Sequence, residues 1–430
     1  MDIRFFEIKN PWRTGGELKP PAIRRHLLDR LPNWLADDDV VVIHGPRRVG
    51  KSTLLLALIR ELLVEHRVPK KKIFYFDIDT LDCSDVLASP STLIDFIGVP
   101  EDRTYVFIDE VQRLESPGLF LKGVRDLGLP IKLFVSGSSS IELRSKVRET
   151  LSGRKRIVRM GGLSWSEYSA LGQADQGWQK FLLHGGYPAV VLAEGEAEKR
   201  RLLLEYFESY LDRDIDAVLR VDRMDVFREL LRLLAFQAGS LVNLNELAST
   251  LRVGRDLLRR YLSYLEETFI VRRLRPFSRN PRKEVSKMPK VFFADLGWRN
   301  LVGPGFIGWD QRTDHGALLE NAVELWLHER FPLAEIRFWR SQAKAEVDFV
   351  VDDGGRLHAF EVKAQSLGRD TVSRSLRGFL RAYRPESATV INLSLDAETE
   401  VEGTPVRFAA FPNCLGTFPV PVPPSEVPGT

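Results

Sequence analysis

Short apolar runs rich in Val, Ile and Phe punctuate the first 160 residues: DVVVIH from Asp39, KKIFYFDID from Lys71, TYVFIDE from Thr104, IKLFVSGS from Ile131 and KRIVRM from Lys155. Such runs lack the apolar-polar alternation of a half-exposed strand, so each is expected to be buried on both faces; joined through helices, they predict a parallel α/β sheet over residues 1–163. From Ser164 the pattern turns helical, with one Gly-rich break at HGGYPAV, which predicts a helical lid over 164–221. Three helical stretches and two extended runs, FIVRRLRPF and KVFFADLG, then follow around a basic loop, the order of a winged helix-turn-helix over 222–300. Beyond GPGFIG, the helix ALLENAVELWLHERF and the runs IRFWRS, EVDFVVDD, LHAFEVKA and ATVINLS predict a further α/β domain over 301–415. The Pro-rich end, within 416–430, reads as loose and extended.

At 430 residues, 44 % hydrophobic and 28 % charged, the chain is long enough for several folded domains. Its two cysteines, Cys83 and Cys414, have no CxxC or His companion, which argues against a zinc site or a disulfide framework and for a reducing, cytoplasmic setting. No apolar run approaches the ~18 residues of a membrane span, so no membrane partner is expected. The net charge of +3 hides an uneven distribution: between Arg252 and Lys290 twelve Lys or Arg stand against four carboxylates.

The most specific chemistry is GPRRVGKST, comprising Gly45, Pro46, Arg47, Arg48, Val49, Gly50, Lys51, Ser52 and Thr53. It follows a predicted strand and opens a predicted helix, the context that the G-x-x-x-x-G-K-[ST] spacing requires. The glycines let backbone amides face phosphate, Lys51 reaches the terminal phosphates, and the Ser52 hydroxyl is a magnesium ligand; ATP and Mg2+ are the expected cofactors. At the end of YVFIDE, Asp109 is expected to hold the magnesium through water and Glu110 to polarise the attacking water.

NLNELASTL, a tight RVG turn and RDLLRRYLSYLEETF fit two helices of a DNA-binding helix-turn-helix. Arg255, Arg259 and Arg260 would face outward, and Arg279 and Lys283 of the loop would add phosphate contacts. Duplex or branched DNA, bound with little sequence preference, is the expected partner; a protein-binding module or a merely solvated face is the alternative.

In the last third, Glu320 on a helix, Asp348 in AEVDFVV, and Glu361 with Lys363 in AFEVKA stand in the order of the PD-(D/E)xK nuclease fold, with Val347 where that motif has Pro. Residues two apart on a strand share a face, so Glu361 and Lys363 can meet Asp348 across a hairpin, with Asp348 and Glu361 as metal ligands. Use of this domain for binding alone is the open alternative.

GPRRVGKST, FIDEVQR, FVSGSSS, LSGR, GGYPAV, YLDRDI, FFADLG and the EVDFVV and FEVK pair together resemble, in order and over almost the whole chain, the AAA-type ATPases of bacteria and archaea with a C-terminal domain of long-unassigned function. The resemblance implies an AAA fold in which Ser136 and Ser138 sense the terminal phosphate. It also implies a homo-oligomer, with a hexamer among its forms, in which Arg154, or Arg148, completes a neighbour's site. The expected function is a DNA-binding ATPase that translocates on or remodels DNA in the manner of a helicase or branch-migration motor. The alternative is a nucleotide-gated defence or stress switch whose C-terminal domain cuts or recruits.

Overall fold

A computed structural model of the chain describes residues 2–80, 83, 85–137, 153–172, 174–216, 221–278 and 288–417. It divides into two compact units, 1–162 with 267–269, and 163–266 with 270–430.

The five apolar runs of the first unit are five strands: β1 (Val40–His44), β2 (Ile73–Asp77), β3 (Thr104–Asp109), β4 (Ile131–Gly137) and β5 (Lys155–Arg159). All pair in parallel, in the order β2-β3-β4-β1-β5. Every residue of β1, β3 and β4 is buried, as unbroken apolar runs demand. But β5, expected to be buried on both faces, is the sheet's edge strand and only Val158 in it is buried, since Lys155, Arg156 and Arg159 keep it wet. Because the strands are parallel, the carboxyl ends of the neighbours β1, β4 and β3 emerge side by side along one sheet edge, which is where α/β sheets present ligand sites. The helix Ile3–Lys9 closes one flank, with Phe6 buried among Phe74, Phe76 and Phe96.

The second unit carries an eight-stranded sheet. Its members are β6 (Val271–Pro276), β7 (Lys290–Phe293), β8 (Glu335–Arg340), β9 (Glu346–Asp353), β10 (Arg356–Val362), β11 (Ser387–Asn392), β12 (Ala397–Val401) and β13 (Thr404–Ala410). Their order is β12-β13-β11-β10-β9-β8-β6-β7. The helix Arg374–Tyr383 lays Leu376, Phe379 and Leu380 on a core that includes Val347, Val350, Ala359 and Phe408.

One expectation changes here. The two runs assigned to a wing do form an antiparallel hairpin, β6 with β7, but β6 continues alongside β8 through Arg275 and Pro276. The hairpin is thus the edge of the C-terminal sheet. The reason lies in β7: all four of its residues are buried, with Val291, Phe292 and Phe293 at most 1 % exposed, whereas a wing reaching into solvent would keep one face wet. The helices Met224–Phe236, Leu244–Leu251 and Arg255–Glu267 precede this hairpin as expected, with Leu258, Tyr261, Leu262 and Leu265 facing inward.

The helical segment expected as a lid is likewise part of the second unit, tied down by two motifs of the sequence. Asp295, at the head of the helix Leu296–Val302, accepts from Gly186 N at 2.9 Å and Trp298 N at 3.0 Å. Gly185, at φ +74, passes so close that a Cβ there would lie 2.4 Å from the Asp295 carboxylate. Asn300 donates to the carbonyls of Leu182 and Leu183. The HGGYP and FADLG motifs are therefore two halves of one buried clamp. Burial pushes the Asp295 carboxyl up to about 6, against the pull of the amides that donate to it.

Candidate nucleotide site

The loop between β1 and the helix Lys51–Val64 is shaped by its glycines. A Cβ on Gly45 would lie 1.9 Å from the Met160 carbonyl, and Gly50 holds φ +94 while Arg48 is left-handed at φ +64. Gly50, as N-cap, offers no side chain to the first helical turn, so the amides and positive dipole end there have no N-cap side chain bonded to them. An uncapped helix N-terminus behind a glycine loop fits a polyphosphate. Lys51 is buried and donates to the carbonyls of Gly45, at 3.1 Å, and Pro46, at 2.8 Å, which parks its ammonium over the loop. Ser52 and Thr53 are exposed at the helix start, where a metal-bound phosphate could reach the Ser52 hydroxyl.

Asp109 and Glu110 end β3 and are organised by their neighbours. Ser136, in β4, donates to Asp109 Oδ1 and accepts from Glu110 N at 3.0 Å. Tyr75, in β2, donates to Asp109 Oδ2 at 2.9 Å. Burial and then the Asp109 charge push the Tyr75 phenol upward, so it remains a proton donor to that carboxylate. Glu110 sits in the left-handed region at φ 58, a costly conformation for a glutamate that turns the chain sharply off the strand, and it accepts from Gln112. Asp109 and Ser52 are the residues that would hold a magnesium ion, and Glu110 follows Asp109 directly at the end of the strand. Of the residues expected to sense phosphate, Ser136 touches Asp109 and Glu110 directly, and Ser138 lies outside the described residues. Arg154 lies on the surface in an ion pair with Asp126 at 2.7 Å, and Arg148 lies outside the described residues.

Two further side chains, not foreseen from the sequence, brace this region. Tyr75 is one; its signal was a lone hydroxyl in the otherwise apolar run IFYF. Arg25 is the other: its guanidinium donates to the carbonyls of Val49 in the loop and of Gly161 and Gly162 beyond β5, at 2.9 to 3.1 Å, and so ties the loop to the far side of β1.

A family model described as an AAA domain matches residues 37–169. Two more, each described as a domain of unknown function, match 175–311 and 315–410. An uncharacterized protein of Mycobacterium tuberculosis is 30 % identical over 363 residues, which cover 83 % of this chain and 77 % of that protein. The chain belongs to the same family. A Mycobacterium bovis protein matches equally, and a Haemophilus influenzae relative is 24 % identical over 69 % of this chain and 78 % of its own length. Among solved structures, RuvB of Thermotoga maritima is 17 % identical over 58 % of this chain and 90 % of that one, with a TM-score of 0.30, too slight a likeness to say what this chain acts on. The AAA-domain match supports nucleotide binding and ATP hydrolysis in general, and with it the divalent metal such hydrolysis uses.

This family member has two other clusters to place. On the helix Arg255–Glu267 the expected DNA-facing residues are exposed and lightly held: Arg255 touches Asn245 at 3.2 Å, Arg259 pairs with Asp256 at 3.0 Å and Arg260 with Asp222 at 3.5 Å. Pairs this exposed contribute little, so the guanidinium groups are available to phosphate. Arg279 and Lys283 lie outside the described residues. The basic surface is smaller than the sequence count implies, since Arg272 pairs with buried Glu324, Arg273 with Glu266, and Lys290 is buried.

In the C-terminal sheet the hairpin of β9 and β10 sets Asp348 beside the strand end that carries Glu361 and Lys363, while Glu320 stands on the helix His315–Arg330. The register opposes Phe360 to Phe349, Asp348 Oδ2 accepts from Val362 N at 2.8 Å, and Lys363 Nζ lies 2.8 Å from Glu361 Oε1. Burial pushes the Glu320 and Asp348 carboxyls upward, and the Asp348 charge adds to the rise at Glu320. The surprise is Lys290. Burial opposes its ammonium, yet Glu320, Asp348 and Glu346 together hold its pKa above the ordinary value. Among the described residues no group of three or more His, Cys, Asp or Glu is arranged to hold a metal ion.

Proposed function

We propose that this protein binds ATP with magnesium at the edge formed by β1, β3 and β4, hydrolyses it, and uses turnover to remodel duplex or branched DNA. The observation that carries the ATPase part is the juxtaposition of an uncapped glycine-loop helix with an acid pair at the end of β3 whose carboxylate is already oriented by Ser136 and Tyr75. Preorganisation of that kind lowers the cost of ordering the site when substrate arrives. Lys51 would swing from the Gly45 and Pro46 carbonyls onto the terminal phosphates, an exchange of neutral acceptors for charged ones that favours the bound state. Glu110 would hold the attacking water, with Gln112 fixing its carboxylate. Arg154 is held in an exposed pair with Asp126, weak enough to release the guanidinium to the nucleotide of a neighbouring subunit.

The DNA part rests on Arg255, Arg259 and Arg260, three exposed cations on the second helix of a tight helix pair. The deciding experiment is ATP turnover by the full chain with and without linear, forked and four-way DNA. Turnover should rise with DNA and rise most with the structure it remodels. Changing the three arginines to Ala should weaken DNA binding alike across sequences and lower its salt dependence by up to about 0.9 logarithmic units per lost phosphate contact. Turnover indifferent to every DNA would leave the ATPase and remove DNA as its partner.

A further inference from the structure

Lys290 opens β7, the strand expected in a wing, and its side chain is only 3 % exposed. Its Nζ lies 2.6 Å from Glu346 Oε1 and 3.7 Å from Glu320 Oε2. Glu346, two residues before Asp348 on β9, also receives Arg340 at 2.7 Å. Ammonium groups of the chain itself therefore stand on the carboxylates around Asp348, Lys290 at Glu320 and at Glu346 two residues before it, and Lys363 at Glu361. Magnesium needs carboxylate oxygens at about 2.0–2.1 Å and keeps waters besides. A buried ammonium within ionic reach of the same carboxylates takes that space and repels a second cation.

We infer that Lys290 is the resident cation of this carboxylate cluster: the acidic patch of the C-terminal sheet is closed by a lysine from the neighbouring hairpin, takes no divalent metal, and cuts no nucleic acid. The lysine has a second consequence. It comes from the segment 175–311, whereas Glu320 and Glu346 belong to the segment 315–410, so this ion pair fastens one family region to the next within a single sheet. The inference is independent of the nucleotide site.

Binding of Mn2+ to the full-length protein without nucleotide, read by electron paramagnetic resonance, tests it. Lys51→Ala serves as background to silence the nucleotide loop. That chain should bind no stoichiometric Mn2+, and its melting temperature should be unmoved by Mn2+ or by a chelator. Adding Lys290→Met should open the cluster and create one Mn2+ site that Asp348→Asn removes. A stoichiometric Mn2+ site in the Lys51→Ala background that Glu361→Gln abolishes would overturn the inference, and Glu361 Oε2, buried and without a hydrogen-bond partner among the described residues, is where it would form. A folded Lys290→Met chain that binds no Mn2+ would also overturn it, because the lysine would then not be what keeps metal out. Should that variant fail to fold, the titration of the background chain decides alone.

Discussion

The nucleotide loop and the C-terminal carboxylate cluster look alike as lists of charged residues, yet they are built in opposite ways. The loop is nine consecutive residues whose chemistry comes largely from backbone: amides, a helix end and left-handed positions that glycine permits. The cluster draws Lys290 from β7, Glu320 from a helix, Glu346 and Asp348 from β9 and Glu361 from β10. A contiguous site carries its own geometry wherever the chain places it. A dispersed site has a charge balance that depends on every element packed around it, and one unforeseen lysine reverses its meaning.

The comparison breaks first, and most visibly, at Lys51. Lys51→Ala should abolish measurable ATP binding by fluorescent-nucleotide titration, a loss of roughly 2–5 kcal/mol as for other truncated charge contacts; retained affinity would mean that the loop does not hold phosphate. Next in size is Glu110→Gln, which should keep ATP bound while slowing turnover by about 10²–10⁴, the usual worth of a positioned base. Single-turnover hydrolysis measures this, and normal turnover would remove Glu110 from the chemistry.

Smaller effects sharpen the contrast within the second unit. Asp295→Ala should destabilise the clamp by about 1–3 kcal/mol, because the Gly186 and Trp298 amides lose a buried acceptor; denaturant unfolding reads it. Asp295 also predicts a pH slope. Its carboxyl holds a proton up to about 6 in the folded chain but releases it in the ordinary carboxylate range when unfolded. Folded protein then binds more protons across that window, so stability should fall as pH rises from about 4 to 6 and level off above. Asp295→Asn should flatten the slope. Least in size is Tyr75→Phe: removing one donor to Asp109 should cost about 1 kcal/mol and raise the magnesium requirement of turnover without abolishing it. An unchanged magnesium dependence would confine Tyr75 to a packing role.

The sequence by itself determined what is local. The strands β1 to β4 were legible because a strand buried on both faces must be an almost unbroken apolar run, whereas the edge strand β5, KRIVR, is mostly half-buried or exposed and does not follow that rule. The glycine loop and its acid pair were legible because spacing and flanking elements specify them together. The hairpin spacing of Asp348, Glu361 and Lys363 followed from strand periodicity.

Only the tertiary structure decided the strand order β2-β3-β4-β1-β5, the docking of Arg25 on the loop, and the hydrogen bond from Tyr75 to Asp109, each a contact between residues far apart in the chain. It also decided that β6 and β7 extend the C-terminal sheet and that Lys290 turns inward to Glu346. A lysine in a basic run reads as solvated, and periodicity fixes which residues share a face but not what covers that face. Burial of a charge is settled by its partners, and those arrive only when distant strands pair.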